Sequence, residues 1–149
     1  MKSYFPLIIL CLSLIVAGRN QAHKITLLKC TPSIVKLVGT ITNVIFPGPP
    51  NYKSVAKGDE PEHYWILKLG SHIDVAEDRV ECPVPEASRP QMNVSNLQLN
   101  LDVYLNADYA AYQKFMGKRV EVTGELTQAY TVHHKTPVMI WVRDIQLAK

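Results

Sequence analysis

The sequence predicts a mainly β chain, a small sheet of five strands closed on itself with one short helix between the third and fourth. Three observations lead there. β-Branched and aromatic residues gather in separate runs divided by stretches rich in Pro and Gly. In the clearest run, apolar residues recur at every second position, and a single later segment carries helix-capping residues at both ends.

The first run, Ile34 to Phe46, holds Gly39 where a bulge or sharp bend would sit. Pro47-Gly48-Pro49-Pro50-Asn51-Tyr52 follows and reads as loop, because proline has no N–H to give to a ladder. The second run is Tyr64 to Leu69. Gly70 to Asn93 reads as loop, with a short strand around Ile73 to Val75. In the third run Leu97, Leu99, Leu101 and Val103 alternate with Gln98, Asn100 and Asp102, the pattern of one buried face. A helix is expected from about Ala107 to Met116, with Asn106 as N-cap, Asp108 in the first turn and Gly117 just past the end. Tyr109, Tyr112 and Met116 fall on one face of it. The fourth run, Arg119 to Leu126, bends at Gly124. The fifth, Pro137 to Leu147, alternates through Val138, Ile140 and Val142 and changes phase near Asp144. This order of elements is that of an OB-fold-like five-stranded barrel. Another small barrel or an open α+β sandwich would give a similar string.

Residues 1–22 read as a secretory signal peptide. Lys2 supplies the charge, Phe5 to Ala17 the apolar run, and Asn20-Gln21-Ala22 a small-residue cleavage site, with Ala17-Gly18 as the alternative. The run is shorter than the roughly 20 residues of a membrane span. Cys11 follows Leu10 inside that run, which does not suit lipid attachment. The expectation is a single OB-like domain, residues 23–149, periplasmic or secreted. Loss of Lys2 and Arg19 takes the 16 basic and 13 acidic side chains to 14 and 13. A chain so close to neutral argues against nucleic acid as a partner. Cys30 and Cys82 remain, and an even pair in an oxidising compartment reads as one disulfide, with two free thiols as the alternative. It would close a loop of about 50 residues, worth on the order of 4 kcal/mol in the chain-entropy model.

Several stretches carry a resemblance. Phe46-Pro47-Gly48-Pro49-Pro50-Asn51-Tyr52, Ala56-Lys57-Gly58-Asp59-Glu60-Pro61-Glu62 and Tyr64-Trp65-Ile66-Leu67 are similar to conserved segments of the DUF4431 family. So are Gly117-Lys118-Arg119-Val120-Glu121-Val122-Thr123-Gly124 and His133-His134-Lys135-Thr136-Pro137-Val138. The resemblance implies a bacterial exported protein of the cell envelope and carries no mechanism. The family's usual Ile-Cys-Val segment is matched here by Ile73-Asp74-Val75, so Cys82 would have to take over the pairing with Cys30.

The candidate site residues lie in two loops. Pro47, Pro49, Asn51 and Tyr52 form a stiff loop, and prolines lower the entropy lost on binding. Tyr130, His133, His134 and Lys135 lie in the connection between the fourth and fifth strands. In an OB-fold these two loops flank one binding face. The expectation is therefore a non-enzymatic module that binds a protein partner in the envelope, such as an inhibitor or immunity protein against a toxin or hydrolase. No catalytic residues are assigned: there is no G-x-S-x-G and no H-E-x-x-H. No cofactor is expected. The alternative is zinc or copper, or another small ligand, on His133 and His134, with His63 and His72 as further donors and catalysis conceivable. Neighbouring strand residues point to opposite faces, so that reading needs a turn at the pair. Asn93-Val94-Ser95 matches a glycosylation acceptor, which the bacterial resemblance disfavours.

Overall fold

The computed structural model describes residues 27–28, 33–76 and 90–149. The signal-peptide segment and both Cys30 and Cys82 lie outside the described residues. Among the described residues the fold is mainly β, with one short helix. The strands are β1 (Leu27–Leu28), β2 (Ile34–Pro47), β3 (Pro61–Val75), β4 (Gln91–Asn100), β5 (Arg119–Gln128) and β6 (Val138–Leu147). The helix α1 is Tyr109–Tyr112, continued as a 3-10 turn over Gln113–Phe115.

β2 lies antiparallel between β3 and β5, and β5 lies antiparallel to β6. β6 runs parallel to β4, and β4 pairs antiparallel with β3. The pairings among the five long strands thus return to their start. β1 adds two residues, parallel to the end of β3.

Alternation builds the core. Val35, Leu37 and Ile41 of β2 point inward while Ile34, Lys36 and Val38 are exposed. Leu67, Leu97, Leu126 and Ile140 from the other long strands are fully buried beside them. β6 changes phase where the sequence indicates. Gly124 faces Val142 but Thr123 faces Asp144, so Arg143 is an extra residue in the ladder. Gly124 makes this possible, because a Cβ there would collide with the Trp141 carbonyl.

Arg143 is turned to use. Its Nε donates to Glu125 Oε1 at 2.8 Å, and its guanidinium lies 4.1 Å from the centre of the Tyr104 ring. The Tyr104 hydroxyl donates to the same carboxylate at 2.7 Å. Burial works to raise the Glu125 pKa, but the hydrogen bonds from Tyr104 and Arg143 outweigh it and hold the group below the usual range. The turn after β4 is thereby pinned to β5 and β6.

The structure corrects several boundaries. β3 does not stop at Leu69: it continues through Gly70 to Val75, and the short strand expected around Ile73 to Val75 is its far end. β4 begins at Gln91 and pairs with that extension across two register shifts. Val103 is not inward but exposed, because the strand ends at Asn100 and the backbone N–H of Leu105 turns back to Leu101 at 3.1 Å. The helix is one turn long, and its N-cap is Asp108, whose carboxylate accepts from Ala111 N at 3.0 Å. Asn106 cannot fill that role, since it and Ala107 take left-handed backbone angles. Gly117 does end the helical segment with φ of 74°. Pro47 pairs with Pro61 as the last residue of β2, a strand end where no N–H is needed.

Gly124→Ala is expected to lower stability by about 1–3 kcal/mol, because the added methyl must push the β6 backbone away. Urea denaturation of the two proteins measures it, and equal midpoints would contradict the close approach.

Candidate functional site

Residues 48–60 connect β2 to β3 and residues 129–137 connect β5 to β6. The first connection is organised by Asp59, a buried carboxylate. Its Oδ1 accepts from Asn51 N at 2.9 Å and Asn51 Nδ2 at 3.1 Å. Its Oδ2 accepts from Lys53 N and Ser54 N, each at 2.7 Å. These bonds, led by the backbone N–H groups of Ser54 and Lys53, hold its pKa down at about 2. Backbone bonds complete the loop: Gly48 N to Glu60 O at 2.7 Å, Glu60 N to Pro49 O at 2.8 Å and Tyr52 N to Gly48 O at 2.9 Å. Pro49 is half-buried, Asn51 exposed and Tyr52 half-buried with a positive φ.

The second connection is held by His134 and Lys135. His134 Nδ1 accepts from Tyr130 N at 2.9 Å and from Thr131 N at 3.3 Å, so the ring is neutral with its proton on Nε2. Burial, and then the neighbouring His133, lower the His134 pKa in agreement with that role. The rings of Tyr130 and His134 meet edge to face at 4.5 Å. The backbone N–H of Lys135 donates to Gln98 Oε1 at 2.7 Å, and Gln98 N donates to Thr136 Oγ1 at 2.8 Å. Gln98 was expected on the solvent face of β4, and it is on that face, but this turn lies against it and buries it.

Lys135 joins the two connections. Its ammonium lies 3.1 Å from Glu62 Oε2 and donates to Val132 O at 3.1 Å. It also sits over the rings of Tyr52 and Tyr64, 5.0 and 5.3 Å from their centres. The side chain is only 8% exposed, so this is a desolvated contact rather than a surface ion pair. The Lys135 hydrogen bond holds Glu62 below the usual carboxylate range against the opposing effect of burial. The Tyr64 hydroxyl donates to the same oxygen at 3.1 Å; burial and then that bond push its pKa up to about 12. Tyr52 meets His133 edge to face at 6.1 Å. Gly48 leaves room for the arrangement, since a Cβ there would lie 2.6 Å from Glu62 Cγ.

The predicted residues of the two loops are therefore brought together through Tyr52, His133 and Lys135. The rim they support is exposed: Tyr130 is 56% and Val132 63% accessible. His133 and His134 do sit in a turn, but Nδ1 of His134 is already occupied by backbone donors. His63 shares a hydrogen bond with Asn43 at 3.1 Å, and His72 is exposed. Among the described residues no three His, Cys, Asp or Glu side chains are placed to hold a metal ion. The acidic run Asp59-Glu60-Pro61-Glu62 stands out in the sequence beside the first loop, but not the role of Asp59 as its organiser or of Glu62 as the partner of Lys135. Sequence reasoning missed Tyr64 and Gln98 as partners of the site.

Asp59→Asn is expected to lower the melting temperature near neutral pH, because an amide nitrogen would face backbone N–H groups. The sign of the pH effect follows from the depressed pKa. The stabilisation from Asp59 is complete above its ordinary value of 3.8 and is lost as pH falls through about 2. Melting curves across that window should therefore fall more steeply for the parent chain than for the variant. Parallel curves would contradict the assignment.

No curated protein and no solved structure matches the chain. Residues 96–146, from the end of β4 through α1, β5 and the Tyr130–Thr136 turn to β6, match the family model described as Domain of unknown function (DUF4431), the family that the sequence resembles.

Proposed function

We propose that the chain is an exported, non-enzymatic binding module of the bacterial envelope that presents the Pro47–Tyr52 loop and the Tyr130–Thr136 turn to a protein partner. The observation that carries the reading is the buried Lys135, which ties both loops into one surface through Glu62, Tyr52 and Tyr64. A surface ordered before binding loses less entropy when a partner docks. Its rim offers an exposed tyrosine and valine, Tyr130 and Val132, and aromatic anchors are enriched where proteins meet. Export rests on the pattern of residues 1–22, and one Cys30–Cys82 disulfide belongs to the same reading. Among the described residues no helix is long and apolar enough to cross a membrane. An inhibitor or immunity protein that covers a toxin or hydrolase is the concrete form.

The finer reading of the fold is an OB-type barrel. The cyclic pairing β2–β3–β4–β6–β5, the parallel β4–β6 contact and the helix between β4 and β5 support it. In such a barrel the two loops joined by Lys135 flank the same face.

A photo-crosslinking residue placed at Tyr130, at Asn51 or, as a control, at Lys36 on the β2–β5 side tests the proposal in envelope extracts. One discrete partner captured from Tyr130 and Asn51 but not from Lys36 supports it, and Tyr130→Ala should then weaken the purified complex by about tenfold. Equal capture from all three positions, or none, would overturn it. Zinc or copper binding that disappears in the His133→Ala/His134→Ala double variant would instead favour the metal reading.

A further inference from the structure

β3 and β4 pair from Val75 and Gln91 as far as Ile66 and Gln98 and then separate. β3 continues along β2 to Pro61, while Gln98, Leu99 and Asn100 of β4 turn to β6. A groove of about 630 Å³ opens between the parted strands. That volume lies within the range of small-molecule sites. One wall carries Glu62 and Tyr64, with Trp65 behind them, the other Asn100 and Asp102, and Tyr109 of α1 and His133 of the turn after β5 line it as well. Trp65 and Tyr109 meet edge to face at 5.2 Å, so two rings form one aromatic corner.

The chemistry of the lining narrows the ligand class. Among the described residues that form the groove there is no lysine or arginine, and Lys135 spends its charge on Glu62 nearby. With Glu62 paired to Lys135, the exposed Asp102 is the carboxylate that disfavours phosphate, sulfate or nucleic acid, and His63, His133 and His134 add imidazole hydrogen-bonding groups. Carboxylates accept hydrogen bonds from hydroxyl groups, and an amide such as Asn100 both accepts and donates. Tyrosine and tryptophan rings offer flat apolar surface to C–H bonds. Rings beside carboxylates and an amide suit a molecule with hydroxyls around its edge and C–H groups on its faces.

We propose that the groove between the parted ends of β3 and β4 binds an uncharged sugar or a short chain of such sugars. The groove borders the proposed partner surface and shares Glu62, Tyr64 and His133 with it, but sugar binding there does not depend on the partner reading. Neutral hydroxyls would meet Asn100, Asp102 and His133, and one sugar face would lie against the half-buried rings of Tyr64 and Tyr109, the latter backed by the buried Trp65.

The test is titration of the isotope-labelled chain with maltotriose, cellotriose and tri-N-acetylchitotriose, followed through the indole N–H signal of Trp65. A saturable shift with at least one trisaccharide, and none with inorganic phosphate, is expected. Asp102→Ala, an exposed turn position, should weaken that binding by about tenfold, the loss of one charge-assisted hydrogen bond. His133→Ala, on the exposed turn, gives a second variant expected to weaken it, and Lys36→Ala outside the groove should leave it unchanged. No saturable shift with any of the three sugars would overturn the proposal. So would a phosphate response of equal size, or undiminished affinity in both groove variants.

Discussion

A buried ammonium is costly unless it is paired, and Lys135 is paired with groups from three parts of the chain. The Glu62 carboxylate comes from the start of β3, the Val132 carbonyl from its own turn, and the Tyr52 ring from the loop after β2. Two connections far apart in sequence are thereby fixed relative to each other. The rest of the site follows from that constraint. His133 reaches the edge of Tyr52 because Lys135 holds the turn there, and Tyr130 is lifted to the rim because His134 accepts its backbone N–H.

Beneath the site, the strands supply a frame with little freedom. β4 pairs with β3 and then leaves it for β6, so Gln98 stands where three strands meet and receives the turn that carries Lys135. The same departure opens the groove between β3 and β4. On the other side of the sheet, the extra residue Arg143 and the crowded Gly124 set the twist of β5 on β6, and Glu125 with Tyr104 ties down the turn that leads to α1. Loop placement and strand geometry are therefore one problem, solved by a few polar contacts against an alternating apolar core.

Much of this frame was legible in the sequence. Alternation in Leu97, Leu99 and Leu101 located β4, and the lost phase near Asp144 located the extra residue in β6, because period two is enforced wherever one face is buried. The length of β3 was not legible. Gly70, Ser71 and His72 look like loop, yet pairing with β4 carries the strand through them, a tertiary effect that local propensity does not contain. Asn106 looked a better cap than Asp108 for the same reason: only the backbone angles reveal which residue begins the helix. At the site, the two loops were identifiable from their prolines, histidines and tyrosines. The contacts between them were not, since Lys135 and Glu62 are 73 residues apart and nothing in their local patterns links them.

The central claim is that Lys135 couples the two loops, and a double-mutant cycle measures that coupling directly. Tyr52→Leu, Lys135→Met and the double variant would be compared with the parent chain by urea denaturation. A desolvated ammonium over an aromatic ring should give a coupling energy of about 0.5–2 kcal/mol, with the double variant less impaired than the two single losses added together. Strict additivity would mean that the loops are independent, and the account of a single ordered surface would fail.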